Sequence, residues 1–333
     1  MINLILKTIK TAKNISLRLI GEVKAKNYDI SETVVISGSP RSGTTWLAEL
    51  FAMIPGASVL WEPLHIRNQP ELEELGFTWR TIIDPNADWS DAERLFSEIL
   101  SGRRLNIHTA KMCGFESVWN RKFWVVKFVR ANGLLNWLTQ NYPVKPPIAI
   151  IRHPCAVISS QMHRRTIHQT ATDKVTLSEW QGGPPDIALE FLKRYPQFER
   201  VLNRVKTWDE ILTAVWCMDN YHIVRHAENP FVIILPYEKL VLNGKKTLRS
   251  LIAYLNLPWD DVLLRGQKVQ SSTVVSGPHM SEDYSPLTDW KSKLITEQIE
   301  RILSVVNEFG LNFYSEAIEP DYDFLNSRSK LSF

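Results

Sequence analysis

Two stretches of this chain concentrate the residue types that bind phosphate. The first, ISGSPRSGTTWL (36–47), nearly meets the pattern GxxxxGK[ST], with Gly38 and Gly43 in place but Thr44 where the lysine that grips β- and γ-phosphates would stand. Ser39, Arg41, Ser42, Thr44 and Thr45 supply hydroxyls and a guanidinium, and the backbone N–H groups of the loop add further donors. Such a set suits a phosphate with a neighbouring anionic group better than a magnesium-bound triphosphate. The second stretch, IIRHPCAVISS (150–160), places Arg152 after an apolar run and Pro154 where a helix begins, so that Ser160 turns back toward Arg152. An arginine and a hydroxyl at the carboxyl edge of a parallel sheet suit a second, separate phosphate.

The elements that must position these loops are visible in the apolar pattern. TVVISG (33–38) is a β-branched run ending on glycine, followed by the helix-compatible TTWLAELFAMI, which predicts a strand–loop–helix junction with a helix N-terminus facing an anion. VVKFV (125–129), IAII (148–151) and FVIIL (231–235) predict further buried parallel strands, and Ser58-Val59-Leu60-Trp61 is a shorter apolar run. LLNWLTQNY, a helix starting near Cys155, and KKTLRSLIAYL follow the three longer runs in turn. This βαβ rhythm predicts an α/β protein, three-layer α/β/α with a central parallel sheet. Residues 67–120, with Phe77, Trp79, Trp89 and Trp119, read as an insertion lying over the carboxyl edge of the sheet, and 186–228 as a second helical cover. WKSKLITEQIERILSVVNEFG (290–310) reads as one amphipathic helix ending on Gly310. The chain thus divides into a basic amphipathic segment (1–30), a single domain (31–315) and a C-terminal tail (316–333).

The 333 residues, 44% hydrophobic and 23% charged, suit a soluble globular protein with a sizeable core. A net charge of +3, from 39 basic and 36 acidic residues, argues against a nucleic-acid partner. Cys113, Cys155 and Cys217 are widely spaced and form no CxxC pair, which predicts neither a disulfide framework nor a zinc site but thiols in a reducing, cytoplasmic compartment. No run approaches the roughly 18 apolar residues of a spanning helix. Residues 1–20 carry Lys7, Lys10, Lys13 and Arg18 without an acid, with Ile2, Ile5, Ile9, Ala12 and Leu19 at near-helical spacing. The segment either packs on the domain or makes peripheral contact with an anionic membrane.

Together, PRSGTTWL and IRHPCAVISS resemble the paired signature motifs of the sulfotransferases that use 3′-phosphoadenosine 5′-phosphosulfate (PAPS). FVIILPYEKLVLNGKKTLRSLIAYLNLP (231–258) and TDWKSKL (288–294) are similar to later segments of that family. The resemblance implies a P-loop-like sulfotransferase fold, PAPS as co-substrate, adenosine 3′,5′-bisphosphate (PAP) as product, and no metal. It implies that Arg41, Ser42, Gly43, Thr44 and Thr45 surround the 5′-phosphate and sulfuryl group, that Arg152 and Ser160 take the 3′-phosphate, that Trp46 and Tyr237 meet the adenine, and that a hydroxyl at Ser272 or Thr273 lines the nucleotide pocket.

Many members acting on phenols and steroids carry a histidine base in a Lys-Thr-His segment; VVKFVR keeps Lys127 but has no such histidine. LWEPLH (60–65) instead resembles the tyrosylprotein and carbohydrate branches, where Glu-Pro is followed by a histidine. Glu62 is therefore the expected general base, its pKa raised by an apolar neighbourhood, with His65 as the rival base. Arg41 is the expected cation on the leaving phosphate and Lys127 a second one. The expected acceptor is a hydroxyl, with a sugar or glycan favoured by the glutamate motif and the twelve tryptophans. A small lipid, polyketide or phenolic hydroxyl is the alternative. A P-loop kinase and an inactive nucleotide-binding scaffold are rival classes; Thr44 opposes the first, and retention of both motifs and of Glu62 opposes the second.

Overall fold

The computed structural model describes residues 2–167, 186–225, 230–267, 272 and 286–333. Five parallel strands form its centre: β1 (Val34–Ser37), β2 (Ala57–Trp61), β3 (Phe123–Lys127), β4 (Ile148–Ile151) and β5 (Ile233–Pro236), in the order β2-β3-β1-β4-β5. The short run ending at Trp61 is thus a full strand, β2, at one edge of the sheet. The register pairs Ile36 with Lys127 and Trp61 with Lys127, so β1, β2 and β3 end at one common edge.

Alternation along each strand builds two cores. Val34 and Ile36 of β1 join Val125, Ile148, Ile150, Ile233 and Leu235 on one face, whereas Val35 joins Val126, Ala149, Ile151 and Ile234 on the other. With both faces covered, the strands read as unbroken apolar runs. The first core is closed by α2 (Thr44–Ala52), following the N-terminal helix α1 (Ile2–Ala25), and by a later helix over Gly244–Tyr254, through Leu47, Leu50, Phe51, Leu248 and Leu251. The second core is closed by α3 (Ser90–Leu100), α4 (Pro154–Ile167), α5 (Trp208–Val224) and α6 (Thr296–Glu308). Three layers, α/β/α, result. α5 is buried along most of its length, a core helix of this layer, and α1 docks on the same core through Leu17 and Ile20.

The crossover from β2 to β3 runs through residues 67–120. Within it α3 buries Leu95, Phe96 and Ile99, while Phe77 stacks on Trp89 at a centroid distance of 4.7 Å. Trp119 lies outside, stacked on Phe115. The expected single helix over 290–310 is two helices, Trp290–Lys293 and α6. Leu294 and Ile295 are extended between them, and Gln298 Oε1 accepts the Ile295 N–H at 3.1 Å, which starts a new helix rather than continuing the old one. Gly310, at φ 69°, follows the end of α6 as expected. Residues 316–333 turn back onto the edge strand: Lys330 N donates to Val232 O at 2.8 Å and Ile234 N to Ser329 Oγ at 2.9 Å, which blunts the open side of β5.

α3 hands over to the sheet at a turn that demands glycine. Gly102 has φ 77°, and a Cβ there would lie 2.2 Å from Trp124 Nε1, the donor that reaches Ser101 O at 3.1 Å. Gly102→Ala is expected to destabilise the fold by about 3 kcal/mol, combining left-handed strain with overpacking. Urea unfolding measures it, and a loss under about 0.5 kcal/mol, the range of a neutral surface change, would contradict this reading of the turn.

Candidate active site

The chain leaves β1 toward one side of the sheet and β4 toward the other, which opens a crevice between the ends of these two strands. The first loop lies there. Ser42 N donates to Ser39 O at 3.2 Å, the two serine hydroxyls are 2.5 Å apart, and Gly43, at φ 102°, precedes the first turn of α2, which holds Thr44, Thr45 and Trp46. Arg41 sits at φ 72°, a region costly for any residue but glycine. Groups from the second motif hold it there. Arg41 Nε donates to Ser160 Oγ at 2.9 Å, Arg152 Nη1 donates to Arg41 O at 3.2 Å, and Gln161 Nε2 donates to Pro40 O at 3.2 Å. The two phosphate-type motifs, far apart in sequence, are therefore joined as one hydrogen-bonded set.

Tyr237 completes this corner. The Arg152 guanidinium lies 4.4 Å from its ring centroid, and Trp46 lies 5.5 Å away on a tilted plane. A Cβ on Gly43 would meet the Tyr237 ring at 2.7 Å, so glycine is required for this approach as well as for the turn. Arg41, Ser42, Gly43, Thr44, Thr45, Trp46, Arg152, Ser160 and Tyr237 are thus gathered at the β1/β4 crevice. Ser272 is not among them: its N–H and hydroxyl engage the carboxylate of Glu49 on α2. Thr273 lies outside the described residues.

A buried network fixes the residues next to Arg152 and Tyr237. Glu238 accepts from His153 N and from the Tyr314 hydroxyl, each at 2.8 Å, and burial pushes its carboxyl pKa up. His153 stacks on Trp290 at 4.6 Å and donates from Nε2 to Ser315 O at 2.8 Å; burial pulls its pKa down to about 4, so the imidazole is neutral at pH 7. Burial likewise pushes the Cys155 thiol up to about 12 and the half-buried Cys113 thiol to about 11, leaving both inert.

A second corner forms where β2 and β3 end. Glu62 follows β2 directly, at φ 39°. Its N–H donates to Lys127 O at 2.9 Å, and its carbonyl accepts from His65 N at 3.0 Å and from His108 Nε2 at 3.1 Å. Its carboxylate is paired through Oε1 with the Lys127 ammonium. Lys127, the last residue of β3, is 1% exposed, with Nζ 3.8 Å from the Trp61 ring centroid. Burial alone pushes the Glu62 pKa up, as its apolar surroundings predict. The charge and hydrogen bond of Lys127, aided by His65 and Arg130, outweigh burial and hold it below the usual carboxylate range. The expected upward shift is corrected: Glu62 is ionised, and its partner was concealed on the neighbouring strand. For Lys127, burial pulls the pKa down against the attraction of Glu62.

His65 stands beside Glu62 with Asn68 Nδ2 2.9 Å from its Nδ1, its ring edge-on to Trp79 at 5.0 Å and tilted to His108 at 5.2 Å. Burial lowers the pKa of both histidines. His108 and Arg130 are site residues that the sequence reading did not single out. His108 arrives on a turn in which Asn106 Oδ1 accepts the N–H groups of His108 and Thr109, each at 2.9 Å, and Asn14 Oδ1 of α1 accepts the Ile107 N–H at 3.0 Å. Arg130 follows β3 at φ 66°; its N–H reaches Gly38 O at 3.0 Å and its guanidinium lies 5.1 Å from the Trp79 ring centroid. Its only sequence signal was its place as the last letter of VVKFVR.

Among the described residues four non-glycine positions have positive φ, and three of them, Arg41, Glu62 and Arg130, stand just past the ends of β1, β2 and β3. Backbone strain therefore collects along the sheet edge that carries both corners. With only β3 between them, the ends of β1 and β2 are about 10 Å apart. One corner is rich in anion donors, the other holds an ionised carboxylate beside a buried cation. Side by side they can hold an anionic donor and accept the proton of an incoming hydroxyl.

Solved structures similar to the chain include three sulfotransferases. The sulfotransferase domain from the olefin synthase of Synechococcus PCC 7002 is 18% identical, with 88% of this chain and 98% of that one covered and a TM-score of 0.46. A sulfotransferase from Mycobacterium avium is 12% identical, covering 89% and 80%, with a TM-score of 0.46. A mouse sulfotransferase complexed with PAP is 14% identical, covering 88% and 89%, with a TM-score of 0.43. No curated protein matches the sequence. The sequence model described as "Sulfotransferase family" matches residues 33–261, well over half of the chain and both corners of the site, and the chain belongs to the sulfotransferase family.

Proposed function

We propose that this sulfotransferase moves the sulfuryl group of PAPS to the hydroxyl of a sugar or glycan. The observation that carries the choice of donor is the joining of Arg41, Arg152 and Ser160 across the β1/β4 crevice, because a ligand bearing phosphates at both 5′ and 3′ positions needs donors from both loops at once. In this reading the first loop and the N-terminus of α2 hold the 5′-phosphosulfate, Arg152 and Ser160 take the 3′-phosphate, and Trp46 and Tyr237 pack on the adenine. Ionised Glu62 takes the acceptor proton as the acceptor oxygen bonds to sulfur and the bond from sulfur to the bridging phosphate oxygen breaks. The electron pair of that bond leaves on the phosphate, where Arg41, Lys127 and the backbone donors stabilise it. The sugar acceptor is supported by Trp79, half-buried beside His65 and Arg130. A lipid or phenolic hydroxyl is the second reading, favoured by the exposed apolar side chains of α1.

Calorimetry is expected to show PAP binding without magnesium, and Arg152→Ala to weaken PAP far more than adenosine 5′-phosphate; equal losses for the two ligands would remove Arg152 from the 3′-phosphate. Glu62→Gln is expected to keep PAP affinity while lowering turnover at least about 100-fold. Because the base acts ionised, the wild-type rate should hold as pH falls until it crosses the lowered Glu62 value, beneath the 4.5 of an ordinary glutamate. An unchanged rate in Glu62→Gln would eliminate it as the base.

His108 holds the Glu62 carbonyl and so acts through Glu62 as a positioning residue. His108→Phe should lower kcat about tenfold with the KM for PAPS unchanged, the loss of about one hydrogen bond's worth of alignment. His108→Gln, whose amide can still donate, should restore most of it. Equal activity of the two variants would show that only the bulk of the ring matters.

A further inference from the structure

Exposed large apolar side chains are unevenly placed on this molecule. Of eleven among the described residues, four lie on α1: Ile9, Ile15, Leu19 and Val23, each 54–62% exposed. Two more, Phe115 and Trp119, stack on each other beside its C-terminal end, where Lys24 Nζ lies 4.3 Å from the Trp119 ring centroid and Arg121 donates to Lys24 O at 3.1 Å. Single exposed apolar residues need no explanation, but a concentration of them does. Ile15, Leu19 and Val23 recur every fourth residue and so share one side of the helix. Leu17, Ile20 and Ala25, on the opposite side, are buried against the domain. α1 is therefore apolar on two sides, and the domain covers only one.

The charges on α1 point to what meets the other side. Lys7, Lys10, Lys13, Arg18 and Lys24 are set against a single acid, Glu22, and Arg103 engages that acid at 3.3 Å. A second copy of the same helix would bring these cations against one another. An apolar stripe bordered by Arg18 beside Ile15 and by Lys13 beside Ile9, with an aromatic pair at one end, is complementary to an anionic bilayer, whose headgroups meet these cations while its acyl boundary takes the isoleucine and leucine side chains. We infer that the outward side of α1, through Ile9, Ile15, Leu19 and Val23 with Lys13 and Arg18 at its borders, docks this enzyme onto the surface of an anionic membrane. The docking is independent of the donor and acceptor chemistry of the active site.

Sedimentation of the full chain with sucrose-loaded vesicles tests this. The protein should pellet with phosphatidylcholine vesicles containing phosphatidylglycerol and stay in solution with phosphatidylcholine alone. Binding should fall as salt rises, and replacing Lys13 or Arg18 by Gln should lower partitioning about fivefold each. Leu19→Asp should abolish pelleting while its melting temperature and PAP affinity match the parent, which separates loss of docking from loss of fold or of the nucleotide site. Absence of pelleting with anionic vesicles at low salt overturns the proposal. So does equal pelleting of Leu19→Asp, or a concentration-dependent dimer in velocity sedimentation that Leu19→Asp dissolves.

Discussion

The site depends on the pairing of Lys127 with Glu62. An ammonium 1% exposed at the end of a central strand cannot stand alone, because its hydration has been removed and only an adjacent anion can replace it. The carboxylate that does so comes from the neighbouring strand, at the residue where the chain leaves β2. That single pairing keeps Glu62 ionised, fixes its side chain toward β3, and sets a cation between the carboxylate and the donor-rich loop of β1. A carboxylate so stabilised is a weak base toward a free hydroxyl. In the proposed transfer a sulfuryl group bound beside it would share the Lys127 charge, and the pull that holds the Glu62 carboxyl low would weaken.

The backbone around this pair is held in conformations that the chain would not choose locally. Arg41, Glu62 and Arg130 each occupy the left-handed region, and each is held by a bond to another strand exit: Arg41 O to Arg152, Glu62 N to Lys127 O, Arg130 N to Gly38 O. The cost, about 1 to 3 kcal/mol per residue, is met by the two apolar cores that lock the strands in register. Aligned parallel strands make this arrangement available, since their carboxyl ends open at one edge and neighbouring exits lie within hydrogen-bond reach.

Much of this was legible in the sequence for a physical reason. Strands buried on both faces must be apolar throughout, so 33–38, 125–129, 148–151 and 231–235 announced themselves, and anion loops must carry donors, so the two motifs did too. What escaped were effects carried by contacts between distant segments. The apolar neighbours of Glu62 were visible, but the lysine that reverses their influence lies 65 residues away. His108 acts on a backbone carbonyl, a partnership that leaves no trace in residue spacing. The tryptophan count is a coarse signal because Trp124, Trp137, Trp216 and Trp290 are fully buried core residues, whereas Trp61 and Trp79 lie beside Lys127 and His65 in the second corner.

The Glu62 turn is supported from α1 as well as from the sheet. Asn14 of α1 holds the turn at Ile107, the turn sets His108, and His108 holds the Glu62 carbonyl in its strained conformation. Each link is a directional hydrogen bond, so the backbone conformation of Glu62 rests on the placement of α1 as well as on the strand register. Among the described residues, the helix with the most exposed large apolar side chains is thus also the one that supports the Glu62 turn from behind.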